Sequence, residues 1–306
     1  MITNLDPEAA LFLADANRIQ QRLADATSRV SSGKKINVAS DAPDQIGSLL
    51  QLRANQQANT QIQSNLTLAQ ADANGADDAL GAAIKLMDRA VTLATQGATA
   101  TTDSTSRAAF AEEVESLQQQ MVSYSQTNVR GRYIFSGDLD GSPSYALDLA
   151  ATSGVDQLSN AAATLQIQSP AGGSFPASKT AQEIFDNQNP DGSPAADNVF
   201  AALNTLRTAF LNNDSAAIGG SIANLRQASD HLNSMEAFYG TVENRIQDAA
   251  TFASNYDVQL QTGISQVQDA DVTAAALELT QANTQLQAAY QARAKMPHNS
   301  LFDYLG

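Results

Sequence analysis

The chain has 306 residues, with 32 acids against 17 bases and a formal net charge of −15; that balance disfavours a phosphate-tracking surface and argues against nucleic acid as a partner. It contains no cysteine, which excludes disulfides, thiol catalysis and sulfur-ligated metal. No stretch is apolar enough for membrane insertion, and Asp6 and Glu8 stand where a secretory signal would place cations or apolar residues, so no cleaved signal peptide is expected.

Leu5, Ala9, Phe12, Ala16, Ile19, Leu23, Ala26 and Val30 recur in alternating steps of four and three. That is a heptad stripe, and it predicts a helix with one narrow apolar seam running to about Ser32 and stopped by Gly33. The alanines thin the seam, so this helix needs a partner. Lys34 to Val38 reads as a short extended link, followed by Ser40 or Asp41 as a helix cap and Pro43 in a first turn.

Asn59, Ile62, Leu66, Ala69, Ala73, Ala76, Leu80, Ile84, Met87, Val91 and Ala94 keep the same step. They predict one helix from Pro43 to Gln96, roughly 80 Å long at about 1.5 Å per residue. Gly75 and Gly81 are soft spots within it. After a polar break at 97–106, Phe110, Val114, Leu117, Met121 and Tyr124 form a third seam, the natural antiparallel partner of the second.

The period changes at Gly131. Arg132 to Ser136 is β-prone, the stretch to Pro194 is rich in Pro and Gly, and Thr164 to Gln168 alternates like a half-buried strand. Helical period returns with Phe200, Leu203, Leu206 and Phe210, and again from Ser215 toward Gln261. A last stripe runs through Val272, Ala276, Leu279, Asn283, Leu286 and Tyr290, with Leu301, Phe302, Tyr304 and Leu305 beyond it.

The expected fold is mainly α: a long antiparallel helical rod, coiled-coil-like terminal helices and a small β-rich insert. Its parts are an N-terminal assembly helix (1–34), the first half of the rod (35–139), the insert (140–194), the second half of the rod (195–262) and a C-terminal assembly helix (263–306). Thin seams at both extremes would gain burial from neighbouring copies. The expected assembly interface is therefore Leu5, Phe12, Ile19, Leu23 and Val30 with Val272, Leu279, Leu286, Tyr290, Leu301, Phe302 and Leu305.

Candidate chemistry is sparse. His231 beside Asp230 reads as a solvated helix face rather than a metal or acid–base site, and His298 as part of a turn. Glu112 and Glu115 can share a helix face, but no apolar pocket is suggested around them. Lys34, Lys35, Arg130 and Arg132 are too few and dispersed for a polyanion site. No catalytic, cofactor or metal site is expected.

Arg29-Val30-Ser31-Ser32-Gly33-Lys34-Lys35-Ile36-Asn37, followed by Ser40, Asp41 and Asp44, resembles the link between terminal and rod helices in the bacterial flagellin family. Asp269 and Asp271, the polar heptad helix after them and Leu301 to Leu305 resemble its C-terminal part. Gly131 to Gly137, Glu183-Ile184-Phe185 and Asn299 to Leu305 are similar to the branch of hook-associated proteins at the hook–filament junction. The resemblance implies a structural, non-enzymatic subunit without cofactors, assembling through its terminal helices. It implies neighbouring copies, other hook-associated and flagellin subunits, the flagellar export apparatus and an export chaperone as partners, and a place in the extracellular flagellum. A filament-forming flagellin, an unrelated coiled-coil scaffold and a surface protein whose insert binds carbohydrate stand as alternatives.

Overall fold

The computed structural model describes residues 7–99 and 101–295, without the side chains of 7 and 8. Among the described residues there are seven α-helices and six short strands, the strands in three two-stranded antiparallel pairs. They divide into two compact units, one of residues before Asn59 and after Asn255, the other Asn59–Asn255. The fold is mainly α, dominated by α2 (Ile46–Gly97, 52 residues) and α6 (Ser215–Gln268, 54 residues).

The unit Asn59–Asn255 holds the core. Within it α2 and α6 run antiparallel, because Asn59 donates from Nδ2 to the Ala253 carbonyl at 2.9 Å, Gly81 faces Glu236, and Ala98 faces Gly219. Helices α3 (Ser104–Ser125) and α5 (Val199–Leu211) pack beside them. On α2 the stripe Leu66, Ala69, Ala73, Ala76, Leu80, Met87 and Ala94 is buried, but so are Ala79, Ala83, Ala90 and Leu93. The buried arc is wider than a two-position seam because several helices share it.

Helix ends follow local chemistry. Asp103 accepts from the Ser106 N–H at 2.7 Å and starts α3; Asn198 accepts from the Ala201 N–H at 2.9 Å and starts α5. The buried Arg107 donates to the Gly97 carbonyl at 3.0 Å, to the Thr99 carbonyl at 3.2 Å and to the Asn213 side-chain oxygen at 2.7 Å. A cation thus closes the carbonyl end of α2. One expectation fails here. Asp41 does not cap α2; its carboxylate turns back to accept the Asn37 and Val38 N–H groups at 2.8 and 2.9 Å, so the helix starts at Ile46 rather than Pro43. Those two backbone bonds hold the Asp41 carboxyl below its ordinary pKa.

The change of period at Gly131 is a hairpin. Strands β1 (Asn128–Val129) and β2 (Arg132–Tyr133) are joined by Arg130 and Gly131 at φ 56° and 82°, the two left-handed residues that a tight two-residue turn requires. Gly75 is less a soft spot than a seat: a Cβ there would lie 2.8 Å from Val129 Cγ2. The segment beyond carries β3 (Tyr145–Leu147) paired with β4 (Val155–Gln157), and β5 (Gln166–Gln168) paired with β6 (Ser174–Pro176), then the short α4 (Ala181–Phe185). Ile167 is buried between exposed Gln166 and Gln168, as alternation predicts.

Phe135, Tyr145, Phe185, Phe200 and Tyr239 form one buried aromatic cluster, with neighbouring ring centroids 5.2–6.2 Å apart. Beneath it the buried Asp186 carboxylate accepts from Tyr145 Oη at 3.0 Å, Gln188 Nε2 at 2.9 Å and Asn198 Nδ2 at 2.8 Å. Burial pushes the Tyr145 phenol pKa up, and the charge and hydrogen bond of Asp186 push it further, so it remains a donor at neutral pH.

Two substitutions test this packing. Asp186→Ala removes the acceptor of two buried donors, Tyr145 Oη and Asn198 Nδ2, and should destabilise the unit by about 3 kcal/mol, read from the shift in denaturant midpoint. Gly97→Ala would place its methyl against the Phe210 ring; overpacking should cost about 1–3 kcal/mol, while Gly47→Ala, with open space around it, should not destabilise.

Candidate assembly interface

In the other unit α1 (Pro7–Ser32) packs antiparallel against α7 (Val272–Lys295). On α1 the buried or half-buried residues are Ala9, Phe12, Ala16, Ile19, Leu23, Ala26 and Val30, with Arg22 and Arg29 at the flank. The heptad stripe of α1 is therefore the face turned to α7. Ala16 and Ala26 are 6% and 0% exposed, whereas the large residues between them are only half-buried. Small residues sit on the contact line and larger ones along its edges.

The stripe of α7 differs from the one read in the sequence. Its inward residues are Ala275, Leu279, Ala282, Leu286 and Ala289, sharing only Leu279 and Leu286 with the expected set. Ala276 and Asn283 face outward, and Val272 and Tyr290 are 47% and 49% exposed. Both stripes obey a four-three step, so spacing could not choose between them; the close approach of α1 favours alanine at the line. Tyr290 is turned to the flank, edge-on to Phe12 with centroids 6.2 Å apart, its hydroxyl accepting from Gln20 Nε2 at 3.3 Å. Leu5, Leu301, Phe302 and Leu305 lie outside the described residues, as does His298.

Polar groups edge the pair. Glu278 lies 3.5 Å from both Arg22 and Arg29, and Arg22 also donates to Gln285 Oε1 at 3.3 Å. At its closed end the pair is clasped. Gly33 ends α1 at φ 69°, and its carbonyl accepts from the Ala270 N–H at 2.9 Å. The Lys35 N–H donates to the Gln268 carbonyl at 2.7 Å. Gln268, 5% exposed, accepts from Arg53 Nη2 at 3.0 Å and donates to the Ile36 carbonyl at 3.5 Å. The links expected to be simple connectors are thus bonded to each other, and nothing in their spacing announced it.

Large apolar side chains are left uncovered around this unit. Leu11, Leu13, Leu50, Val258 and Leu277 are 52–67% exposed. Leu11, Leu13 and Leu277 stand off the α1–α7 contact line, and the sequence reading passed over them because they break the heptad.

Several of the other candidates are engaged within the chain. His231 is not on a solvated face: its side chain is 14% exposed, with Nε2 2.9 Å from the Glu183 carbonyl and Nδ1 3.4 Å from Asp197 Oδ2. It ties α6 to α4 and to the segment between α4 and α5. Arg130 is bonded to Asp72 Oδ1 at 2.7 Å and Arg132 to Asp140 Oδ2 at 2.7 Å, so neither is a spare cation. Glu113 holds Arg89 at 2.6 Å, and Glu115 lies 3.8 Å from Arg207. An open cleft of about 440 Å³ lies between loop residues Leu149–Thr152 and α5, where Asn204 Nδ2 is committed to the Ala151 and Thr152 carbonyls and the Asp214 carboxylate to the start of α6.

Long seam helices, a short β segment packed on an aromatic cluster, and helices α1 and α7 paired through a thin heptad line define a mainly helical class of protein. The bacterial flagellin N-terminal helical region matches residues 7–139 and the bacterial flagellin C-terminal helical region residues 222–305. The chain belongs to the bacterial flagellin family. Its fold is that of several solved hook-associated proteins. A protein of Vibrio parahaemolyticus assigned as a flagellar hook-associated protein aligns at TM-score 0.63 and 18% identity, over 75% of this chain and 100% of its own. FlgL of Xanthomonas campestris aligns at 0.58 and 17%, over 68% and 98%. The flagellar junction protein FlgL of Legionella pneumophila aligns at 0.53 and 14%, over 66% and 99%. The sequence matches none of the curated proteins significantly.

The thin seam has a measurable consequence. In a dilute, isolated chain the amides of α1 and α7 should exchange at least ~100-fold faster than those near the buried Met87 and Leu232, because few fully buried apolar groups resist their opening. Equal protection, measured by hydrogen exchange, would count against an incomplete interface.

Proposed function

We propose that this protein is a structural subunit of the bacterial flagellum, placed at the hook–filament junction and assembled through its terminal segments, 1–34 and 263–306. The observation that carries the reading is the α1–α7 pair, with alanines closed on one another and Leu11, Leu13 and Leu277 more than half exposed beside them. Such a pair is a poor end state for an isolated chain and a good one for a helix pair surrounded by others. Burying one large apolar side chain is worth about 1.5–3 kcal/mol, so a few per subunit decide assembly against the entropy of ordering.

Phe12, Ile19, Leu23 and Val30 then serve with Leu279 and Leu286 inside the pair, while Val272 and Tyr290 lie outward, available to neighbouring copies. Head-to-tail contacts of one surface with a different one build open helical assemblies. Family membership supports other flagellar subunits as the partners. Passage through the flagellar export apparatus, with a chaperone covering the C-terminal seam, fits helices that pack weakly before arrival, and the extracellular flagellum is then the site of work. The fold shared with junction proteins favours the junction over the filament itself.

Two experiments test this. Leu286→Asp should leave the unit Asn59–Asn255 folded by circular dichroism and abolish incorporation into flagella, so normal motility in that strain would refute the assembly role. Deletion of the gene should leave cells that release flagellin into the medium; a strain that secretes none places the protein in the filament instead.

A further inference from the structure

The α1–α7 seam does not define its own register. On α7 the inward positions repeat every seven residues with the same residue type: Ala275, Ala282 and Ala289 in one row, Leu279 and Leu286 in the other. Sliding α7 by one heptad, roughly 10 Å, so that each residue takes the site seven positions on, puts Ala275, Leu279 and Ala282 at the sites of Ala282, Leu286 and Ala289, and Val272 at that of Leu279. The flanking ion pairs discriminate little. Arg22 touches both Glu278 and Gln285, seven residues apart, so a slid Glu278 would still find Arg22 and lose only Arg29. These groups are about one-third or more exposed, and exposed pairs contribute little.

A slide in the direction that brings residue 283 beside Phe12 draws α7 away from Gly33. It must break the Ala270–Gly33 and Lys35–Gln268 backbone bonds. The same junction carries bonds from the Ile36 N–H to the Gln268 carbonyl at 3.4 Å and from Lys35 Nζ to the Gln266 carbonyl at 3.1 Å, and its one buried polar side chain is Gln268, which bridges Arg53 on α2 to the Ile36 carbonyl. We infer that Gln268 is the positioning residue that sets the register of α1 against α7, and with it which side chains form the outer face of the pair. A buried polar group that selects one register among near-equivalent ones is a known use of such residues in helical seams. The inference concerns the single chain and stands whether or not the chain assembles at the junction.

The absence of cysteine makes the test direct. Phe12→Cys with Tyr290→Cys reports the observed register, since those rings lie 6.2 Å apart; Phe12→Cys with Asn283→Cys reports the slid one. Full-length chains would be treated with a short thiol cross-linker and the two yields compared. With Gln268 present, the 12–290 product should exceed the 12–283 product at least ~10-fold. Gln268→Ala should lower that ratio several-fold with helicity unchanged. Gln268→Glu, which keeps an acceptor for Arg53 but no donor for Ile36, should fall between. A 12–290 product that never forms, equal yields in the parent, or a ratio that Gln268→Ala leaves unmoved would overturn the assignment.

Discussion

The constraint on which this architecture depends is how little apolar material its terminal helices place between them. Ala16 and Ala26 from α1 meet the line of Ala275 and Ala282 from α7, all nearly fully buried. Alanine lets two backbones approach closely but removes little surface from water when it is buried. Phe12, Ile19, Leu23, Leu279 and Leu286 would supply more, yet they are pushed to the edges of the contact and stay partly wet. The pair is shaped correctly and stabilised weakly. That combination suits a part finished by neighbours, and it leaves discrimination among registers to polar groups at the closed end.

The unit Asn59–Asn255 answers to the opposite constraint. Its helices share a wide buried arc, and its irregular segment is anchored by five aromatic rings and a carboxylate with three donors. A segment of two- and three-residue strands could not hold its shape alone, since isolated hairpins are marginal in water. Here two of the three hairpins lean on helix: Val129 on Gly75, and the loop before β4 on Asn204. The segment packs on the helical core, and Asn204 and Asp214 of the cleft are bonded within the chain.

Family membership gains meaning from this division of labour. The two matched helical regions bracket the insert and contain both terminal helices. The solved hook-associated proteins share the architecture at 14–18% identity. At that distance the likeness is one of fold, which tolerates substitution so long as volume and pattern are kept.

The sequence by itself determined the helices, because apolar period is a property of the chain alone. It placed α1, α3, α5 and α7, the stop at Gly33, the change of period at Gly131 and the strand around Ile167. Three-dimensional packing decided what period cannot express. Two heptad stripes on α7 were equally regular, and only the closeness of α1 chose Ala275, Ala282 and Ala289 over Val272, Asn283 and Tyr290. His231 reads as solvated until Glu183 and Asp197, more than thirty residues away, are folded against it. The clasp of Gly33 and Gln268 joins residues separated by most of the chain. A pattern along one helix states which faces are apolar; which residue meets which is fixed by distances between segments that the linear order does not contain.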